Sequence, residues 1–385
     1  MKCSVAQKIY IGFFAILLIS FSIYLTIDCC FINRSYFSKF GVSGFLNGNH
    51  QKNISESFNK NICIYKPLKF MKTHFDMLTG KSFSDGIYIK DSSLIQIPQL
   101  PSSSDLKTVS EKVNEFSEKI DQSIYSLIIT TKSQVDNDKF ISYVFKSDES
   151  KIISEYNDFL SPNIFKLDAI TPLTYIKSMN AFYKTDSRLT GLGSFLIYNY
   201  NIKQMGASPL SMRQFDIEHV ADDFYGELYN KVLYSNIDSD IIDLFHCNAY
   251  SVNGKVDSIY SDVKISNRST IYDLSQNYYS DKINIVFGES VPIRDVTTNS
   301  KSKNSILIFA DKNIDSLIQF LAIHYSKITV VNLSEINESW DSLANSIEKI
   351  NSTHYDHVLF GYGIESLKNI YQFDNLKKFN LRSSK

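Results

Sequence analysis

Two short stretches of this 385-residue chain carry side chains suited to chemistry. One is Asp186-Ser187-Arg188, inside the segment AFYKTDSRLTGLGSFLIY at Ala181–Tyr198. The other is Asp311-Lys312, directly after the apolar run Ile306–Ala310. An aspartate beside a base fixes the tautomer of that base, which then takes the proton of a hydroxyl nucleophile. Arg188 and Lys312 do not complete such a set in the ordinary way. Arginine stays protonated near neutral pH, its pKa lying above about 12. A lysine amine attacks only when burial or a neighbouring cation pulls its pKa down. His246-Cys247 offers a base and a thiol, but adjacent residues on a strand point to opposite faces and cannot pair there. His324 falls on an expected helix and reads as a surface or interface residue.

These residues need elements to hold them. Ser305–Leu333 parses as strand (Ile306–Phe309), turn (Ala310–Asn313), helix (Ile314–Tyr325) and strand (Ile328–Val331). That is a right-handed parallel βαβ unit. Tyr355–Phe360, after a helix at Leu343–Ile350, reads as one more parallel strand, and Ser126–Thr130 as a buried one. The fold class this predicts is α/β, a mostly parallel sheet flanked by helices. Reactive residues in such sheets sit at the carboxyl ends of strands, where Asp311-Lys312 falls. Elsewhere Thr79–Ile95 alternates like a hairpin pair. Leu106–Ile120 has the spacing of an amphipathic helix, with Val109, Val113, Phe116 and Ile120 on one side. Asp148–Leu160 reads as a helix closed by Ser161-Pro162. Gly193–Tyr200 continues as a helix after the Asp186 turn. Short strands are expected at Val232–Tyr234 and Ala249–Val252.

The N-terminus has a different character. Ile9–Ile27 is an uncharged, mostly apolar run of 19 residues preceded by Lys2 and Lys8. As a helix it would span roughly 28 Å, enough for a bilayer core. The lysines place the short tail in the cytoplasm and the rest outside. The run ends Thr26-Ile27-Asp28-Cys29-Cys30, without the small residues of a cleavage site, so the expectation is an uncleaved signal anchor. The organisation this gives is a cytoplasmic tail (1–8), a transmembrane helix (9–27), an Asn/Ser/Lys-rich stalk (28–64) and a folded extracytoplasmic domain (65–385).

Composition bounds the rest. Hydrophobic content of 43% supplies an ample core, and the net charge of −1 gives no polyelectrolyte signal. No basic run with interleaved aromatics points to nucleic acid. No Cys-x-x-Cys or Cys/His spacing suggests a metal, and no cofactor is implied. Cys63 and Cys247 are the two cysteines in the body of the ectodomain, and either a disulfide or two free thiols fits them.

Several segments together resemble the DHHW protein family, cell-envelope relatives of the alginate O-acetylation proteins with an SGNH-hydrolase-like fold. The family element Thr-Asp-His-His-Trp is matched in frame by Thr185-Asp186-Ser187-Arg188-Leu189. Phe287-Gly288-Glu289-Ser290-Val291-Pro292 resembles the segment before the nucleophile strand, and Ile306–Lys312 that strand ending in Asp-Ser. Phe320-Leu321-Ala322-Ile323-His324-Tyr325 resembles the Phe-Leu-Ala-x-His-Tyr after it. Val331-Asn332-Leu333 and Asp356-His357-Val358-Leu359 match the next two strands. The order and spacing hold over about residues 65–365.

The resemblance implies a serine nucleophile, a histidine base and an orienting aspartate acting on acetyl esters. Here Asp186 keeps the acid position, Arg188 stands at the base position and Lys312 at the nucleophile position. Ser187, Ser290 and Ser316 lie near in sequence, but none has a histidine at a motif position. Asp186, Arg188 and Lys312 then form either a structural salt-bridge cluster or an anion site in which Arg188 and Lys312 carry surplus positive charge. The expected role is a catalytically degenerate subunit linked to O-acetylation of a cell-envelope polysaccharide. Its expected partners are a membrane-bound O-acyltransferase and an acidic polysaccharide or teichoic acid. The alternative is an active O-acetyltransferase or acetylesterase with unconventional catalytic residues.

Overall fold

In the computed structural model the described residues are 16, 19, 20, 65–90, 92–136, 148–175, 180–247, 254–261, 264–279, 281–336 and 343–381. The stalk and most of the apolar run at 9–27 lie outside them, as do Cys63 and the strand expected at Ala249–Val252. No helix among the described residues is long and apolar enough to cross a membrane. The chain divides into two units, Met1–Leu78 and Thr79–Lys385. The first contains the helix α1 (Tyr65–Leu78).

The second unit opens with an antiparallel meander, β1 (Phe83–Ser84), β2 (Ile87–Lys90) and β3 (Ser93–Gln96), where a hairpin pair was expected. Gly86 makes its first turn at φ 79°. Helix α2 (Ser103–Ser117) starts three residues before the expected Leu106. Ser102 forms a capping box with Asp105 and satisfies the first free N–H groups. Strand β4 (Ser123–Ile129), the short α3 (Lys132–Val135), α4 (Glu149–Phe159), β5 (Ile164–Leu167) and α5 (Ile170–Tyr175) follow. Then come α6 (Gly191–Asn201), β6 (Phe215–Phe224), α7 (Glu227–Val232), β7 (Asp240–Cys247), β8 (Gly254–Ser261) and β9 (Lys264–Arg268). Next come β10 (Ile293–Thr298), β11 (Ser305–Ala310), α8 (Asp315–Leu321), β12 (Lys327–Val331), α9 (Ala344–Ser352) and β13 (His357–Gly363), followed by 3-10 helices at Ile364–Lys368 and Ile370–Lys378.

Among the described residues, eight strands form the central sheet in the order β5-β4-β13-β11-β12-β10-β8-β9. The first five run parallel. Strands β10, β8 and β9 extend the sheet antiparallel, which makes it mixed at that side. All six residues of β11 are buried, because helices cover both faces. Ile306, Ile308 and Ala310 pack with Phe195 of α6 and Leu317 and Phe320 of α8. Leu307 and Phe309 pack with Val109 and Phe116 of α2, Tyr156 of α4 and Ile347 of α9.

The expected strand at Val232–Tyr234 is instead the end of α7, stopped by Leu233 in the left-handed region at φ 52°. The strands of this region are β6 and β7, which pair with each other as a separate two-stranded ribbon. Cys247, at the end of that ribbon, is a free thiol.

Candidate active site

The carboxyl ends of β4, β11 and β13 meet at one side of the sheet, and the loops that follow them build the site. After β11, Asp311 accepts from the Asn313 N–H at 2.9 Å and caps a tight turn. Its other oxygen accepts from the Gly363 N–H at 2.9 Å and the Ser366 hydroxyl at 2.5 Å, which ties the ends of β11 and β13 together. A Cβ on Gly361 would lie 2.7 Å from Ile314, so the close approach of β13 needs a glycine there. After β4, buried Glu149 accepts from Thr130 Oγ1 at 2.6 Å and the Thr131 N–H at 2.7 Å, fixing the next loop.

The Asp186 segment is a tight reversal. Phe182 pairs with Leu189, and the Thr190 N–H donates to the Ala181 carbonyl at 2.9 Å. Thr190 then caps α6 through the Gly193 N–H at 3.1 Å. A Cβ on Gly193 would sit 2.2 Å from the Ala181 carbonyl oxygen, which explains the second glycine of Thr-Gly-Leu-Gly. Two groups outside the segment hold its tip. Asp240, at the start of β7, accepts from the N–H groups of Lys184 at 2.8 Å and Thr185 at 2.7 Å. Buried Lys132 donates to the carbonyls of Leu94 at 2.9 Å, Tyr183 at 2.7 Å and Lys184 at 3.1 Å.

Asp186 itself is fully buried, at 0% exposure. It accepts from Arg188 Nε at 2.7 Å, Arg188 Nη2 at 2.8 Å, the Arg188 N–H at 3.0 Å and the Glu227 N–H at 2.9 Å. The last donor reaches it because Gly226 has no side chain; a Cβ there would lie 2.4 Å from that of Asp186. Burial alone would raise the carboxyl pKa, but the Arg188 guanidinium and the two N–H groups outweigh it and hold it below the usual range. Arg188 also donates to Asp281 at 3.2 Å. Burial opposes its charge, yet the two carboxylates hold its pKa above the ordinary arginine value.

Arg188 and Lys312 line one cleft of about 320 Å³ with Ser187, Tyr225, Gly226, Glu227, Asn230, Asp281 and Asn313. Asp186 lies behind Arg188. Ser187 and Asn313 also line a second cavity of about 150 Å³, with Gln96, Thr130, Thr131, Glu365 and Ser366 among its walls. Of the charged groups in the lining, Arg188 is bonded by Asp186 and Asp281, and Glu227 pairs with Lys231 at 2.5 Å. Lys312 is exposed, so the burial required of a lysine nucleophile is missing.

Other expected candidates fall elsewhere. Ser316 is buried and shares a 2.5 Å hydrogen bond with Ser194. Ser290 accepts from Asn332 Nδ2 at 3.0 Å. His246 is exposed on β7 and pairs with Glu218 at 2.8 Å. His324 lies past the end of α8, where its ring bonds the Tyr198 hydroxyl at 2.8 Å and burial lowers its pKa. It is half-buried and stacks on the Tyr198 ring. No histidine lines either cavity among the described residues.

Asp315, in the first turn of α8, was not singled out by sequence. Burial pushes its pKa up to about 6, against the opposing pull of Arg294 and Arg188. A carboxyl raised in the folded state adds stability below its unfolded pKa and loses it as pH rises through the folded value. Asp315→Asn should therefore raise the urea midpoint above about pH 6 and leave it unchanged below about pH 4.

No family model and no curated protein sequence matches this chain. Solved structures do match. A DHHW family protein from Eubacterium siraeum superposes with a TM-score of 0.61 at 16% identity, over 78% of this chain and 98% of that one. Bacillus cereus PatB1 does so with a TM-score of 0.60 at 13% identity, over 73% and 96%. The O-acetyltransferase domain of Pseudomonas putida AlgJ is more distant, with a TM-score of 0.43 at 12% identity over 75% and 99%. The fold of this chain is therefore that of the DHHW family protein and of PatB1, as the resemblance in the sequence implied.

Proposed function

We propose that this chain is a membrane-anchored, extracytoplasmic relative of the DHHW proteins that has lost acetyl-transfer chemistry. It serves as a binding or scaffold subunit linked to O-acetylation of a cell-envelope polysaccharide. The observation that carries this reading is the two-pronged Asp186–Arg188 pair at 2.7 and 2.8 Å. The carboxylate that would orient a base is taken up by a group that cannot accept a proton. The anchor rests on the uncharged run at Ile9–Ile27 and the lysines before it.

The ligand side of the reading follows from the cleft lining. The hydroxyls of Ser187 and Tyr225 in the lining suit the hydroxyl groups of a glycan. Lys312, with no ion pair among the described residues, is the cation left for a carboxylate or phosphate of an acidic polysaccharide or teichoic acid. Arg188, already shared by two carboxylates, is structural. A membrane-bound O-acyltransferase is the partner that such a subunit would serve.

The alternative, an active acetyltransferase or acetylesterase using Lys312, requires an amine that is neutral at working pH. Exposure of Lys312 argues against it. The two separate by covalent capture. After incubation with an acetyl donor, mass spectrometry should find Lys312 acetylated no faster than other exposed lysines. Rapid stoichiometric acetylation of Lys312 that depends on the folded protein would sink the scaffold reading.

A further inference from the structure

Helix α1 presents its apolar side to solvent. Its buried side chains are Thr73 and Asp76, while Leu68, Met71, Phe75 and Leu78 are 55%, 65%, 66% and 87% exposed. Those four fall at i, i+3, i+7 and i+10, one stripe roughly 80° wide at about 100° per residue. Apolar area left in water is unfavourable in proportion to its size. A contiguous stripe of this kind marks a surface that something apolar covers.

The charges say what covers it. Lys66, Lys69 and Lys72 are spaced about one per turn, and Asp76 is the helix's single acid, 3.5 Å from Lys72. No carboxylate interrupts the stripe. A basic helix with an aromatic-containing apolar face lies in the plane of an anionic bilayer surface, with its stripe sunk about 5–10 Å into the headgroup boundary. Lysine stems snorkel from such a depth to the phosphates. Residues 28–64 separate this helix from the apolar run at Ile9–Ile27. An anchor in that run would tether α1 to one membrane face through residues 28–64.

We propose that α1 is an interfacial helix, seated through Leu68, Met71, Phe75 and Leu78 on the anionic surface of the membrane that carries the chain. This rests on the anchor in the proposed function. It brings Thr79, the first residue of the second unit, to the bilayer surface by chain connectivity alone.

The test uses the full chain reconstituted into vesicles of phosphatidylcholine and phosphatidylglycerol. The chain has one tryptophan, so Trp340→Phe with Phe75→Trp leaves a single indole, at position 75. Trp340→Phe with Leu78→Trp gives a second reporter on the same stripe. The proposal expects blue-shifted emission and at least about a twofold loss of intensity with lipids brominated near the headgroup. Both effects should weaken in vesicles of phosphatidylcholine alone. Water-like, unquenched emission from both positions overturns the proposal. So does blue-shifted emission that no brominated lipid quenches, since the stripe would then be covered by protein. Alkaline extraction of the same vesicles keeps the two readings apart. A chain that resists extraction but shows no quenching loses the helix proposal only; a chain that is quenched yet extracted loses the anchor only.

Discussion

Asp186→Ala should lower the unfolding free energy by about 3–5 kcal/mol, the cost of leaving a buried cation without its partner. Asp186 is 0% exposed and accepts two side-chain bonds from Arg188, whose side chain is 15% exposed. Its removal leaves Arg188 with Asp281, which is 47% exposed and bonded through one longer contact at 3.2 Å. It also frees the Glu227 N–H, which starts α7. Arg188→Met should cost a similar amount, because it strands the carboxylate instead. The double variant should recover part of the loss, since an apolar pair of similar volume is often tolerated where an ion pair stood.

The pH dependence of this pair has a definite sign. The Asp186 pKa is lower in the fold than in the unfolded chain. Its contribution is present above the unfolded value of about 4 and is lost as pH falls through the depressed folded value. Denaturant melts of the three variants at neutral and acid pH check both points. A loss below about 1 kcal/mol for Asp186→Ala would mean that the pair behaves like an exposed ion pair.

Lys132→Met should be the second large loss, about 2–4 kcal/mol. The side chain is 5% exposed and bonds three backbone carbonyls, one on β3 and two on the Asp186 loop. Methionine keeps the volume and removes the donor, so up to three carbonyls lose their charged partner at about 1–3 kcal/mol apiece, partly regained from water. The effect should be local as well as global. The Leu94 N–H donates to the Lys184 carbonyl at 2.9 Å, so its hydrogen exchange should accelerate more than that of the β11 amides. Equal protection loss at both places would mean that Lys132 supports the whole sheet rather than this loop.

The parts of the fold that were legible are those where burial on both faces leaves an unbroken apolar run. ILIF at Ile306–Phe309 and VLF at Val358–Phe360 are such runs, and their strands lie in the parallel part of the sheet. The antiparallel half was not legible. Strand β10 reads IRDVTT, with Arg294 buried at 4% exposure and stacked over Phe287 at 4.3 Å, so polarity hid it. The ribbon of β6 and β7 was missed for a related reason. Four successive residues of β6, Asp216–His219, are exposed, and bulges break its alternation.

Asp186, Arg188 and Lys312 could be singled out from motif frame, and Arg188 and Lys312 do line one cleft. Asp240, Glu227 and Asp281 could not, since they reach the same loop from turns and element ends far along the chain. That distance has a consequence. Asp281 gives Arg188 a second carboxylate that the motif alone does not show.

The central claim is that acetyl chemistry was lost at Arg188 and Lys312 while the frame around them stayed intact. The most direct measurement is acetylesterase activity of the natural protein beside the double variant Arg188→His/Lys312→Ser. The histidine would stand beside the Asp186 carboxylate, which could then orient it, and the serine would follow Asp311 at the end of β11. The account predicts no turnover by the natural protein and measurable turnover by the variant, abolished again by Asp186→Ala. Turnover by the natural protein that depends on Asp186 would contradict it.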